Sequence, residues 1–267
     1  ELSLDNKVAG LYQRTSDNLT RFVFPISIRR ARLIAVPSQF TSNELQTMYG
    51  VQDRKIMIVP AAVSSEFCPN YNHQYKEQVQ KRYGAPGGYV LHFSSGDSRD
   101  NTELALRAFS LANISENIKI ILVGDGYVDQ DAFNEMISRM ELRDRVISVG
   151  HVSDRDLVDL YQAADIYMDP SLYEGFGLQV LEAMSCGVPV LCSNTTSLAE
   201  MASDVGLTCE PTNIEDFAHG IEYLISNTAQ AELMRDAGIR YASQYSWNKT
   251  VEQLVTLCEH AIDLYLV

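Results

Sequence analysis

Glu174 and Glu182 are the carboxylates best placed to do chemistry in this chain. Glu174 stands in the loop Glu174-Gly175-Phe176-Gly177, and Glu182 lies eight positions on, in the run Leu181-Glu182-Ala183-Met184. Two glycines let a ligand approach the backbone closely. A helix that opens directly after them turns its first N–H groups and the positive end of its dipole toward an anion. Taken alone, Glu174 would serve equally to offset the helix dipole and Glu182 to solvate a surface. The spacing does not choose between these roles.

The elements that must position the two acids can be read on either side. Asp165–Ser171 is a short apolar run ending at a proline, as a buried strand ends. After the glycine loop, Leu178, Leu181 and Met184 recur at helical spacing, Gly187 marks the stop, and Val188–Ser193 is the next strand. Similar runs at Tyr89–Phe93, Ile118–Val123, Val146–Val149 and Gly206–Glu210 alternate with helical patterns. This predicts an α/β domain with a doubly wound parallel sheet covered on both faces. Ligands of such sheets lie outside the carboxyl ends of the strands. That edge holds Ser94-Ser95-Gly96, Gly124-Asp125-Gly126, Gly150-His151-Val152, Glu174–Leu178 and Ser193-Asn194-Thr195.

The bulk properties bound the partners. The 267 residues are 46% hydrophobic and 21% charged, enough to bury a real core. A net charge of −14 argues against nucleic acid, which calls for clustered Lys and Arg. The charge is uneven: residues 1–60 carry +3 and the remainder −17. Five cysteines show no metal-ligand spacing, and four sit in apolar patterns, which predicts free, buried thiols and a cytoplasmic protein. No apolar run is long enough to span a bilayer.

Toward the N-terminus, Ile26–Leu33 reads as a helix end and Ile34–Ser38 as a strand. Thr41-x-x-Glu44 reads as a capping box opening a helix that stops at Gly50, and Lys55–Pro60 as a second strand. These elements are too few to close a domain. The predicted organisation is residues 1–62 as the tail of a domain lacking its front half, and 63–86 as linker and first helix. Residues 87–245 form the doubly wound domain and 246–267 a closing packing helix.

The stretch P-S-L-Y-E-G-F-G-L-x-x-L-E-A-M-x-C-G-x-P-V, beginning at Pro170, resembles the E-x7-E region of family 4 retaining glycosyltransferases of the GT-B fold. Val123–Gly126, Arg145–Asp165, Leu33–Ser38, Ile58–Pro60 and Trp247–Leu264 are similar to further segments of that family. The resemblance implies the Rossmann-like C-terminal half of a GT-B enzyme with part of a second α/β domain. It implies a nucleotide-sugar donor and a hydroxyl acceptor, either a growing glycan or a lipid-linked saccharide. By position, Glu174 contacts donor sugar hydroxyls, and Gly175, Phe176, Gly177 and Leu178 offer N–H groups to sugar and diphosphate. Glu182 accepts from both ribose hydroxyls, Gly124 belongs to a strand-end donor loop, and His151 and Val152 border the base. No metal or other cofactor is implied. The family's Arg and Lys after the first strand are replaced by Ser95 and Asp100, and its N-G-V-D by Ala61-Ala62-Val63-Ser64. Arg99 is the substitute cation, with Ser95 and the helix start at Asn101 as neutral donors.

The function expected is a retaining sugar transferase, with the basic first segment suited to an anionic or membrane-borne acceptor at the inner membrane face. A non-catalytic GT-B partner subunit that binds nucleotide or glycan is the alternative from another class, and a nucleotide-sugar epimerase a second enzymatic one.

Overall fold

The computed structural model describes residues 23–124 and 130–266. The chain divides into two compact units, Glu1–Val59 with Val251–Val267, and Pro60–Thr250.

In the first unit a helix, α1, covers residues 23–30. Strand β1 (Ile34–Val36), helix α2 (Gln39–Tyr49) and strand β2 (Ile56–Ile58) follow, and the two strands pair in parallel. Ile28, Val36, Leu45 and Val51 form the small core of this unit. The cap of α2 differs from the capping box read in the sequence. Ser38, extended at φ −148°, accepts the Thr41 N–H, so the helix opens three residues earlier. Gly50 closes it in the left-handed conformation, as its position predicted.

The second unit is ordered α3 (His73–Arg82), β3 (Tyr89–Phe93), α4 (Thr102–Leu111), β4 (Lys119–Val123), α5 (Gln130–Arg139), β5 (Val146–Gly150), α6 (Asp154–Ala163) and β6 (Ile166–Asp169). It continues through α7 (Leu178–Ser185), β7 (Val190–Ser193), α8 (Thr196–Ala202), β8 (Leu207–Cys209), α9 (Ile214–Ser226), α10 (Thr228–Ala242) and the start of α11 (Trp247–Leu266). All its strands pair in parallel, in the order β5-β4-β3-β6-β7-β8. The chain thus winds outward from β3 in one direction and returns to β6 to wind in the other. This is the doubly wound order, with its crevice where β3 and β6 meet.

The apolar strand runs are explained by burial on both faces. One core layer joins Tyr89, Leu91, Tyr161, Tyr167, Leu181 and Met184. The opposite layer joins Val90, Leu106, Phe109, Ile120, Ile166 and Phe217. Alternate residues of β3 and β6 therefore serve different layers. Cys186, Cys192 and Cys209 are buried as expected, whereas Cys68 and Cys258 are exposed. Cys68 lies in the irregular segment before α3, and Cys258 on α11, where Val251, Leu254, Val255 and Ile262 are also exposed. No described helix is long and apolar enough to cross a membrane.

Candidate functional site

Two loops rise from the crevice, residues 94–101 after β3 and 170–177 after β6. They are tied together twice. The Leu172 N–H donates to the Arg99 carbonyl at 2.8 Å. The Asn101 side-chain amide donates to the carbonyls of Pro170 (2.9 Å) and Pro211 (2.8 Å).

The second loop begins at Asp169, buried at the end of β6. Its Oδ1 accepts from the Ser171 N–H at 3.2 Å and hydroxyl at 2.5 Å, a local turn closed by an aspartate. Burial pushes the Asp169 carboxyl above its ordinary pKa, and the Ser171 bonds pull against it. In the sequence Asp169 stands only within the apolar run Asp165–Ser171. A carboxylate closing an otherwise apolar strand was the available signal, since such groups are rarely buried without partners.

Glu174 is half-buried and has its backbone fixed from outside the loop. Its N–H donates to the Thr196 hydroxyl at 3.3 Å, and its carbonyl accepts from the Ser197 hydroxyl at 2.8 Å. Burial first, and the Asp169 charge second, push the Glu174 carboxyl up to about 7, while Arg99 pulls it down. Phe176 is half-buried and meets Tyr245 edge-on, centroids 6.1 Å apart.

Gly177 ends the loop at φ 89° as the N-cap of α7. No side chain caps that terminus, and no acidic residue stands in the first turn. The first turn therefore presents the N–H groups from Leu178 onward with the positive end of the helix dipole. Leu178 itself is exposed. One turn along, Glu182 Oε2 accepts from the Tyr161 hydroxyl of α6 at 3.0 Å. Burial pushes Glu182 up to about 7, and the Tyr161 bond pulls it down. In the sequence Tyr161 carries no signal beyond its place in the segment Arg145–Asp165.

In the first loop the polar groups pair with one another. The Ser95 N–H and hydroxyl both donate to Asp100 Oδ2, each at 2.6 Å. Arg99 pairs with Asp97 through Nη2 (2.8 Å) and Nε (3.1 Å). Asn101 spends its side-chain amide on the carbonyls of Pro170 and Pro211 and so braces the loop, while its backbone opens α4. Beneath them His92 is buried, with Nδ1 3.0 Å from the Met168 carbonyl and Nε2 3.0 Å from the Thr102 hydroxyl.

Gly124 completes the edge at φ 116°, its N–H donating to the Gly150 carbonyl at 2.9 Å. A Cβ there would lie 2.6 Å from the Ser94 carbonyl oxygen, so only glycine lets the loops after β3 and β4 nest. His151 is exposed and Val152 half-buried against the core. Asp125 and Gly126 lie outside the described residues. A cavity of about 710 Å³ beside β8, lined by Leu207, Cys209, His219, Tyr223, Leu233 and Met234, bears none of these groups. Among the described residues no cluster of His, Cys, Asp and Glu could hold a metal ion.

Comparison with known proteins agrees with this fold. Residues 76–245 match the family model of the glycosyl transferases group 1. The chain is 32% identical over 231 residues to the O-antigen chain mannosyltransferase B of Escherichia coli, covering 86% of this chain and 61% of that protein. It is 28% identical over 229 residues to the serotype-specific mannosyltransferase WbdA of Escherichia coli, covering 83% of this chain and 28% of that one. The chain thus spans about three fifths or less of these relatives. In fold it is similar to Anabaena HepE, crystallised with UDP and glucose. The TM-score is 0.80 at 22% identity, covering 90% of this chain and 66% of that one. With its model matched across the whole crevice, the chain belongs to the group 1 glycosyltransferases, of the GT-B superfamily.

Proposed function

We propose that this chain is the donor-binding part of a family 4 retaining glycosyltransferase, moving a sugar from a nucleoside diphosphate to a hydroxyl of a growing glycan. The single observation that carries the reading is the arrangement along one loop and helix. Glu174 and Glu182 stand on either side of an α7 N-terminus that no side chain caps. Glu182, held by Tyr161, accepts from the two ribose hydroxyls, which suits paired carboxylate oxygens. Backbone N–H groups of Gly175, Phe176, Gly177 and Leu178 receive sugar and diphosphate. The helix dipole stabilises the charge that develops on the departing diphosphate. Glu174 accepts from the sugar hydroxyls, Gly124 belongs to a strand-end donor loop, His151 and Val152 border the base, and no metal is required. Arg99, on the same edge, is the cation nearest in role to those replaced by Ser95 and Asp100.

The mannosyltransferases named above support a mannosyl donor and an O-antigen-like or lipid-linked acceptor, and the basic first segment suits peripheral association with a membrane. The family match does not favour a binding-only partner subunit, whose one support is the Ser95–Asp100 pair. The test is transfer to saccharide acceptors from UDP-, GDP-, dTDP- and ADP-sugars by the whole protein. Transfer lost in Glu174→Ala supports the enzyme. Tight nucleotide binding with no turnover of any donor supports the subunit.

A further inference from the structure

The peptide of Glu174 is gripped on both sides by consecutive hydroxyl residues that open α8. Thr196 Oγ1 accepts its N–H at 3.3 Å, and Ser197 Oγ donates to its carbonyl at 2.8 Å, seconded by the Ser197 N–H at 3.4 Å. Ser197 is buried, and Leu198 beside it reaches the other end of the same loop, where its Cδ2 would lie 2.7 Å from a Cβ at Gly177. Thr196 adopts φ 58°, a left-handed conformation that β-branched residues rarely take. Such a conformation persists only where the surroundings over-determine it, and it concentrates at sites of function. Here it aims the Thr196 hydroxyl at the Glu174 N–H instead of along α8.

We infer that Thr196 and Ser197 are positioning residues that fix the Glu174 backbone, and thereby set recognition of the donor's sugar separately from that of its nucleotide. The inference rests on the donor site proposed above. The physical basis for the separation is that the hydrogen bonds bracing the two ends of the site come from different elements. Glu182 is held from α6 by Tyr161, and the α7 amides by the helix itself, whereas Glu174 is held from α8. Loosening the α8 clamp leaves the ribose and phosphate contacts in place and lets the sugar-facing carboxylate wander. A displacement near 1 Å is enough to forfeit a hydrogen bond to a hydroxyl.

The test compares nucleoside diphosphate with nucleotide sugar in calorimetric titrations of the whole protein, using GDP and GDP-mannose with UDP and UDP-glucose in parallel. Thr196→Val keeps the branched shape and removes the acceptor; Ser197→Ala removes the donor; Thr196→Ser retains a hydroxyl. The expected result is that both losses leave the diphosphate Kd within about twofold and weaken the nucleotide sugar at least fivefold, while Thr196→Ser, which keeps the hydroxyl acceptor, binds both ligands as the wild type does. Retained diphosphate binding shows in the same titration that each variant is folded. Thr196→Val and Ser197→Ala that bind the nucleotide sugar as the wild type does would overturn the inference and leave the donor site standing. So would an equal loss of both ligands, which marks a merely structural role. A wild-type protein that binds none of the four ligands would overturn the donor site and the clamp with it.

Discussion

The Tyr161 hydroxyl meets Glu182 Oε2 at 3.0 Å, joining α6 to α7 directly behind the glycine loop. Tyr161 is fully buried and packs edge-on against Tyr167 and Phe67, so its ring is fixed before its hydroxyl is used. A carboxylate held this way by a rigid neighbour is presented to a ligand at no further ordering cost.

Tyr161→Phe keeps those ring contacts and removes the bond. A hydrogen bond of this kind contributes about 1 kcal/mol, so nucleoside diphosphate binding should weaken roughly fivefold near pH 7. Titration calorimetry measures the loss. It should shrink at higher pH, where Glu182 ionises without help from the hydroxyl.

Both acids stand at about 7, above the ordinary 4.5, so the protein without ligand should be stabilised by their protonated forms. That contribution is fully present below about 4.5 and is lost as pH rises through about 7. Ribose hydroxyls donating to Glu182 favour the ionised form, so nucleotide affinity should move the opposite way and rise between pH 6 and 8. Melting curves and titrations in buffers of different ionisation enthalpy would show falling stability, rising affinity and proton release on binding.

Two glycine substitutions should differ in cost. Gly177→Ala meets the left-handed penalty and the flexible end of Leu198, for about 1–2 kcal/mol. Gly124→Ala meets a backbone carbonyl that cannot swing aside, for about 2–4 kcal/mol. Denaturant titration should rank Gly124→Ala as the more damaging.

Asp100 occupies both hydrogen-bond donors of Ser95 beside the proposed diphosphate site. Asp100→Asn removes a negative charge and loosens that hold. Nucleoside diphosphate should bind a few-fold more tightly, and the gain should fade as salt is raised. An unchanged Kd at low salt would place Asp100 too far away to be felt by the phosphates.

The sequence by itself determined the alternation of strands and helices and the identity of the glycine loop. These rest on local chemistry: apolar runs of strand length, Gly50 and Gly187 as helix stops, and a two-glycine turn before Leu178. It also singled out Glu174 and Glu182, through the resemblance of the stretch around them to the E-x7-E region rather than through their spacing. It misplaced the cap of α2, since Ser38 and Thr41 are both good capping residues and only the backbone conformation selects one. Only the tertiary structure decided the sheet order, and with it the juxtaposition of Arg99 with Leu172 and of Thr196 with Glu174. It likewise decided that Ser95 and Asp100 satisfy each other, that Asn101 braces two loops, and that Cys258 faces solvent. Such pairings join residues up to about a hundred positions apart in sequence, or hinge on a rotamer and a turn. No local periodicity encodes them; they follow from which strands lie side by side and which polar groups would otherwise be left without partners.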